Sequence, residues 1–243
     1  MWTQHAKKAF LTVSLLGMVL MAGCTSEDDV ENEAPVAVLE VTDDTGKTGD
    51  AFTFDGQDSH DPDGEVVLWR FDFGDGQSVE ASDEDAARVK HTYAEGGEYT
   101  VTLTVTDDGD EQAGAKTATA DVRVAVNQEF PVAETPVYAS PLPNQTETSS
   151  TPFVANAGAD RFELKLDVQS VIAAGSSEVT IQVIDPEEDV IEEETVTVPA
   201  GETVPVDMEG IITQQGEHEV RIIAQSGGAT AAGDLLVVYD DDF

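Results

Sequence analysis

Two long stretches of this chain alternate apolar and polar residues with a period of two, the pattern of β-strands that bury one face. Val36, Val38 and Val41 mark a first strand, and Ala51-Phe52-Thr53-Phe54 a second. Val67, Trp69, Phe71 and Phe73 recur at every second position and are predicted to share one face. Phe73-Gly74-Asp75-Gly76 then turns, since Gly and Asp tolerate the positive φ angles of tight turns. Tyr99, Val101, Leu103 and Val105 alternate with Thr100, Thr102, Thr104 and Thr106, a half-buried strand rich in β-branched residues. Ala118, Ala120, Val122, Val124 and Val126 form another. The pattern returns with Phe162, Leu164, Leu166 and Val168, then Val179, Ile181 and Val183. Val196 with Val198, Val204 with Val206, Val220 with Ile222, and Leu235 to Tyr239 follow, with a turn at Asp185-Pro186-Glu187-Glu188. No helical period appears. The expectation is an all-β chain of two antiparallel β-sandwich domains, residues 34–127 and 152–240. Residues 128–151 carry Pro131, Pro136, Pro141 and Pro143 among Thr and Ser, and read as a stiffened, extended linker.

The N-terminus has a different pattern. Lys7 and Lys8 precede an apolar run from Ala9 to Gly23, and an acidic stretch follows Cys24. A basic start, an apolar middle and small residues before the break make a secretory signal peptide over residues 1–23. The run is shorter than the roughly 20 apolar residues that a spanning helix needs. Leu20-Met21-Ala22-Gly23-Cys24 resembles the lipobox of prokaryotic lipoproteins, with Met21 where Leu is most usual. The resemblance implies cleavage before Cys24 and a diacylglyceryl thioether on its sulfur; an uncleaved anchor is the alternative. Each buried methylene contributes about 0.8 kcal/mol, and stable anchoring takes two chains. Cys24 is the chain's one cysteine, so an intramolecular disulfide is excluded. Residues 24–33 are acidic and aperiodic, and read as a flexible tether. The expected location is the extracellular face of the membrane.

Charge narrows the setting further. The chain has 50 acidic and 11 basic residues, a formal net charge of -39. A disordered acidic chain would lack apolar residues, whereas this one is 40% hydrophobic and patterned into strands. The remaining reading is a folded protein that works in concentrated salt, where screening shortens to about 3 Å at 1 M. In this the chain resembles secreted proteins of haloarchaea. The same charge argues against nucleic acid as a partner and makes any single Asp or Glu a weak functional signal.

Within residues 34–126 several motifs occur in a familiar order. Ala34-Pro35-Val36-Ala37-Val38 opens the stretch, and Ser59-His60-Asp61-Pro62-Asp63-Gly64 makes a turn. Phe71-Asp72-Phe73-Gly74-Asp75-Gly76, His91-Thr92-Tyr93 and Gly97-Glu98-Tyr99-Thr100-Val101-Thr102-Leu103-Thr104-Val105 follow. Together they resemble the PKD domain, the immunoglobulin-like module named for polycystic kidney disease. Phe71 stands where the family's hallmark has Trp, and Trp69 lies two positions earlier on the same predicted face. The resemblance implies an immunoglobulin-like sandwich and a role in protein–protein or protein–carbohydrate contacts.

Catalytic patterns are missing from the sequence. It has no Gly-x-Ser-x-Gly elbow and no phosphate-cradling glycine loop, and His60, His91 and His218 lie far apart. The chain is read as non-enzymatic. Asp58, Asp61 and Asp63 crowd one turn and are candidate calcium ligands, calcium taking six to eight oxygens; a solvated acidic turn is the alternative. An EF-hand reading fails because Arg70 stands where Glu is required. Asn144-Gln145-Thr146 fits an N-glycosylation acceptor at Asn144, with a chance triplet as the alternative. Trp69, Phe71 and Tyr99 would serve a glycan-binding face only if exposed, and their period places them in a core. The expected function is a lipid-anchored, non-catalytic interaction protein whose PKD-like domain contacts an extracellular protein. A carbohydrate-binding surface module and a structural envelope stalk are the alternatives.

Overall fold

The computed structural model describes residues 32–109, 114–139 and 147–239. Cys24 and Asn144 lie outside them. The described chain is built from strands in the order β1 (Glu40–Val41), β2 (Thr45–Lys47), β3 (Ala51–Asp55), β4 (Val66–Asp72), β5 (Ser78–Ala81), β6 (Arg88–Thr92) and β7 (Gly97–Asp107). There follow β8 (Thr117–Tyr138), β9 (Thr148–Ala155), β10 (Ala159–Ser170), β11 (Ser176–Ile184), β12 (Val190–Pro199), β13 (Thr203–Ile211), β14 (Gly216–Ser226) and β15 (Gly228–Tyr239). Helical structure among the described residues is limited to a 3-10 turn at Glu84–Ala86.

These strands form three sheets. One is β1-β3-β6 and another is β12-β11-β14-β9. The third runs β13-β10-β15-β8-β7-β4-β5, with β2 lying parallel beside β8. The first sandwich packs Phe52 and Phe54 of β3 against Trp69 and Phe71 of β4, Val101, Leu103 and Val105 of β7, and Val124 and Val126 of β8. The second packs Phe153, Val179, Ile181, Val220 and Ile222 against Phe162, Leu164, Val168, Leu235 and Val237. Each such side chain contributes about 1.5–3 kcal/mol when fully buried. The all-β architecture and the alternating core positions match the expectation.

Two local expectations differ. Val36, Val38 and Val41 do not form one ladder. Val36 exchanges backbone bonds with His60. The Ser59 hydroxyl accepts from the Val38 N–H at 3.0 Å and donates to its carbonyl at 3.1 Å, so a side chain replaces the neighbouring strand. Val67 is 42% exposed, although alternation puts it with Trp69 and Phe71. A register shift between Val66 and Leu68 against β7 turns it outward, as a β-bulge does.

The largest difference concerns the expected linker. Residues 128–138 continue β8 and pair with β15, and residues 148–151 belong to β9. β8 is a single 22-residue strand that enters both sandwiches. Pro131 and Pro136 are accommodated because this half of β8 has β15 on one side only, and proline is tolerated in edge strands. Of the described residues in the predicted linker, only Ala139 and Glu147 stand outside these strands, and 140–146 lie outside the described residues.

The Gly74-Asp75-Gly76 turn ties the first core to its rim. Gly74 has φ 79°, and a Cβ there would meet the Thr100 carbonyl at 2.7 Å. Asp75 Oδ1 accepts from the Gln77 N–H at 2.9 Å, and its Oδ2 lies 2.7 Å from His91 Nε2. His91 stacks on Phe73 with ring centres 4.0 Å apart, and the Tyr93 hydroxyl donates to the Phe73 carbonyl. Desolvation pushes the Asp75 carboxyl up, but the bonds from Gln77 and His91 outweigh it and hold it below the usual range. A depressed folded-state value means that ionised Asp75 supports the fold at neutral pH, and that this support is lost as acid protonates it. Asp75→Asn should therefore cost roughly 2 kcal/mol at neutral pH. It should also flatten the part of the acid-induced loss that Asp75 contributes below about pH 4. Urea unfolding of both proteins across that range measures this.

Candidate cation-binding site

Four carboxylates meet where the β3–β4 loop approaches the end of β7. Asp61 and Asp63 come from the loop, and Asp107 and Asp108 close the strand. Neither oxygen of Asp61 has a well-formed hydrogen bond, and both are shielded from solvent. Burial raises the Asp61 pKa, and the nearby charges of Asp63, Asp107 and Asp108 raise it further; the Asp63 backbone N–H offsets this only in part. Gly64 makes the approach possible, because a Cβ there would lie 2.6 Å from Asp61 Oδ2 and 2.4 Å from Asp108 Oδ1.

The other carboxylates are committed to local bonds. Asp107 is fully buried; its Oδ1 accepts from the Lys116 backbone N–H at 2.7 Å and its Oδ2 from Asn32 Nδ2 at 3.1 Å. Asp108 Oδ1 accepts from the Glu65 N–H at 3.1 Å. Both oxygens of Asp63 accept from the Glu33 N–H, at 3.1 and 3.0 Å. Asp61 alone among the four is left with a shielded, unsatisfied carboxylate, which is costly. A hard divalent cation such as calcium, with its preference for clustered carboxylate and carbonyl oxygens, would supply the missing charge. Among the described residues no three His, Cys, Asp or Glu side chains already stand at metal-ligand spacing, so a cation would have to draw them together.

The sequence-predicted trio is therefore divided. Asp61 and Asp63 share the cluster, whereas Asp58 is exposed and is not among the charges that perturb Asp61. Asn32, Asp107, Asp108 and Lys116 escaped the sequence reading. The signal available was Asp107-Asp108-Gly109 directly after the alternation of β7, hidden by the acidic background. Next to the cluster lies an open cleft of about 520 Å³ whose lining includes His60, Asp61, Glu65, Val67 and Asp83. Trp69 and Phe71 are in the core, and Tyr99 stacks on Tyr93 at 4.1 Å, so these rings do not make an exposed aromatic platform.

Residues 32–126 match the model of a family described as the PKD domain. The chain is 41% identical over 78 residues to a microbial collagenase of Vibrio alginolyticus, covering 32% of this chain and 9% of that one. It is 38% identical over 84 residues to collagenase ColA of Clostridium perfringens, covering 35% and 7%. It thus spans less than a tenth of either relative. Among solved structures, the PKD1 domain of Vibrio anguillarum Epp is 35% identical, with 40% of this chain and 99% of that one covered and a TM-score of 0.29. Residues 32–126 of this chain are a PKD domain.

Proposed function

We propose that this protein is a lipid-anchored, non-catalytic interaction module on the extracellular face of a cell membrane, its PKD domain making contacts with another protein. The observation that carries this reading is the continuity of β8 through both sandwiches. The joint is reinforced by side chains. Asn127 Oδ1 accepts from the Tyr239 N–H at 2.8 Å, and the Tyr239 hydroxyl accepts from the Asn156 N–H at 2.9 Å. Asn156 Nδ2 donates to the Gly96 carbonyl at 2.8 Å, and Gln128 Oε1 accepts from the Gly96 N–H at 2.9 Å. A fixed joint presents surfaces at a set distance and orientation, which binding needs and which lowers the ordering cost of association. The similarity to segments making up a small part of two collagenases is consistent with an accessory module. The acidic surface suits work in concentrated salt.

Cross-linking on intact cells in their native salt, read by mass spectrometry, should capture one defined surface protein. Retention on a polysaccharide column without such a partner would support the carbohydrate alternative instead, and cross-links confined to envelope components would support a stalk. Cys24→Ser should release the protein into the medium or leave its signal uncleaved; unchanged mass and unchanged membrane retention would refute the anchor. Lowering the salt should lower the melting temperature monotonically, since unscreened like charges push the compact state apart.

A second reading rests on Asp61. We propose that the cluster of Asp61, Asp63, Asp107 and Asp108 holds a calcium ion that strengthens the PKD domain. Because the folded-state pKa of Asp61 is raised, its ionised form opposes folding as pH rises through that value. Asp61→Asn should raise the melting temperature in chelator and abolish the further rise that calcium gives the parent protein. Equal calcium responses in both proteins would sink this assignment.

A further inference from the structure

We propose that two copies of this chain pair edge to edge through the first half of β8, joining their PKD domains into one continuous sheet. On one side of this strand, residues 117–126 ladder with β7. On the other side β2 covers only residues 125–127. There Ala125 donates its N–H to the Asp44 carbonyl at 2.7 Å, and the Asn127 carbonyl accepts from the Thr48 N–H at 2.9 Å. Backbone groups alternate between the two sides of a strand. Thr119 and Asp121, of the same parity as Ala125, therefore turn their N–H and C=O away from β7. Among the described residues no strand lies opposite them. An open edge of this kind is a template for another strand.

Other edges of the described sheets are blunted. β9, β13 and the second half of β8 carry prolines. β12 carries glutamates at residues 192–194, β6 carries Arg88 and Lys90, and β1, β2 and β5 are short. Residues 117–123 have no proline and one charge of each sign, Asp121 and Arg123. The β7 residues opposite Thr117 and Thr119 are Thr106 and Thr104, so the surroundings are uncharged. A chain of 50 acidic and 11 basic residues repels its own copy over most of its surface. This edge is a neutral place at which a copy can approach.

An antiparallel copy fits the gap in one register. With Ala120 on the two-fold axis, Thr119 lies opposite Asp121 of the second copy and Thr117 opposite its Arg123. β8 starts at Thr117, so the incoming strand ends where β2 begins. Moving the axis to Asp121 sets that residue against its own copy, and like charges directly opposite are unfavourable. Moving it to Val122 drives the incoming strand into β2. On the inner face Ala118 and Val122, already packed on the first core, meet their counterparts across the axis. The pair is isologous and closes, so it does not propagate into a fibre. The contact is small, which makes the dimer concentration-dependent, and salt favours it by screening the repulsion elsewhere. It requires neither the anchor nor the calcium ion.

Sedimentation of the full chain over a concentration series in concentrated salt should show the mass rising toward that of a dimer. Amide exchange at Thr119 and Asp121 should slow as the dimer forms, whereas Ala120 and Val122, which face β7, should not change. Thr119→Pro removes an N–H that β7 does not use. It should leave the melting temperature of the monomer nearly unchanged and weaken dimerisation about tenfold. Thr119→Asp should weaken it about threefold and Thr119→Arg strengthen it as much, since each faces Asp121 of the copy. If Thr119→Pro lowers the melting temperature, these opposite effects decide instead. A chain that stays monomeric at every concentration overturns the pairing and leaves contact with a different protein to the cross-linking on cells. A dimer that forms without slower exchange at Thr119 and Asp121 also overturns it, because the copies then meet elsewhere.

Discussion

The fold depends on one strand satisfying two cores at once. β8 gives Val124 and Val126 to the first core and packs Phe130 and Val132 against the second. A one-residue slip in a strand exchanges its two faces. The register of Val122 opposite Val101 on β7 therefore fixes which residues of β8 can meet β15. The strand does not keep one parity to its end. Between the pairs Gly233↔Val132 and Ala231↔Thr135, β15 advances two residues and β8 three. That extra residue returns Val137, an odd position, to the second core beside the even Val132. Val124, Val126, Phe130 and Val132 keep one parity across both sandwiches, and the bulge lies within the half of β8 that pairs with β15, where Val137 changes parity.

Three aspartates show how little the residue type says in so acidic a chain. Asp75 is held by Gln77 and faces His91, and it favours the charged form. Asp107 is wholly buried, yet both oxygens receive donors. Asp61 is shielded, unsatisfied and surrounded by like charge. The first two organise a turn and a strand end. The third carries a cost that the other two avoid, because a shielded carboxylate without a donor is the expensive case.

Much of the fold was legible because burial imposes the period of two directly. The cores at Phe52 to Val126 and at Phe153 to Tyr239 follow alternation that needs no further information. What was not legible depended on pairing. Val67 reads as core until the register shift opposite β7 turns it out. Pro131 and Pro136 read as linker because proline breaks ladders in general, and only the knowledge that this half of β8 is an edge removes the objection. The site was half legible for the same reason. Asp61 and Asp63 lie together in the sequence, but Asp107 and Asn32 join them only through the fold, 46 and 29 residues from Asp61. Asp58 is near the other two in sequence and exposed in space.

Two attachments in this molecule are built from different kinds of bond. The joint between the sandwiches is a backbone ladder with neutral side-chain bonds at Asn127, Asn156 and Tyr239, which salt scarcely touches. The attachment of Asn32 and Glu33 to the first sandwich runs through the charged side chains of Asp63, Asp107 and Lys116. β7 spans the distance between them. It begins at Gly97, beside the inter-sandwich joint, and ends at Asp107 in the acidic cluster, the strand being 11 residues long. At about 3.4 Å per residue this separates the two joints by most of the length of the PKD domain. The bonds that hold Asn32 and Glu33 and the neutral bonds between the sandwiches thus lie at opposite ends of β7.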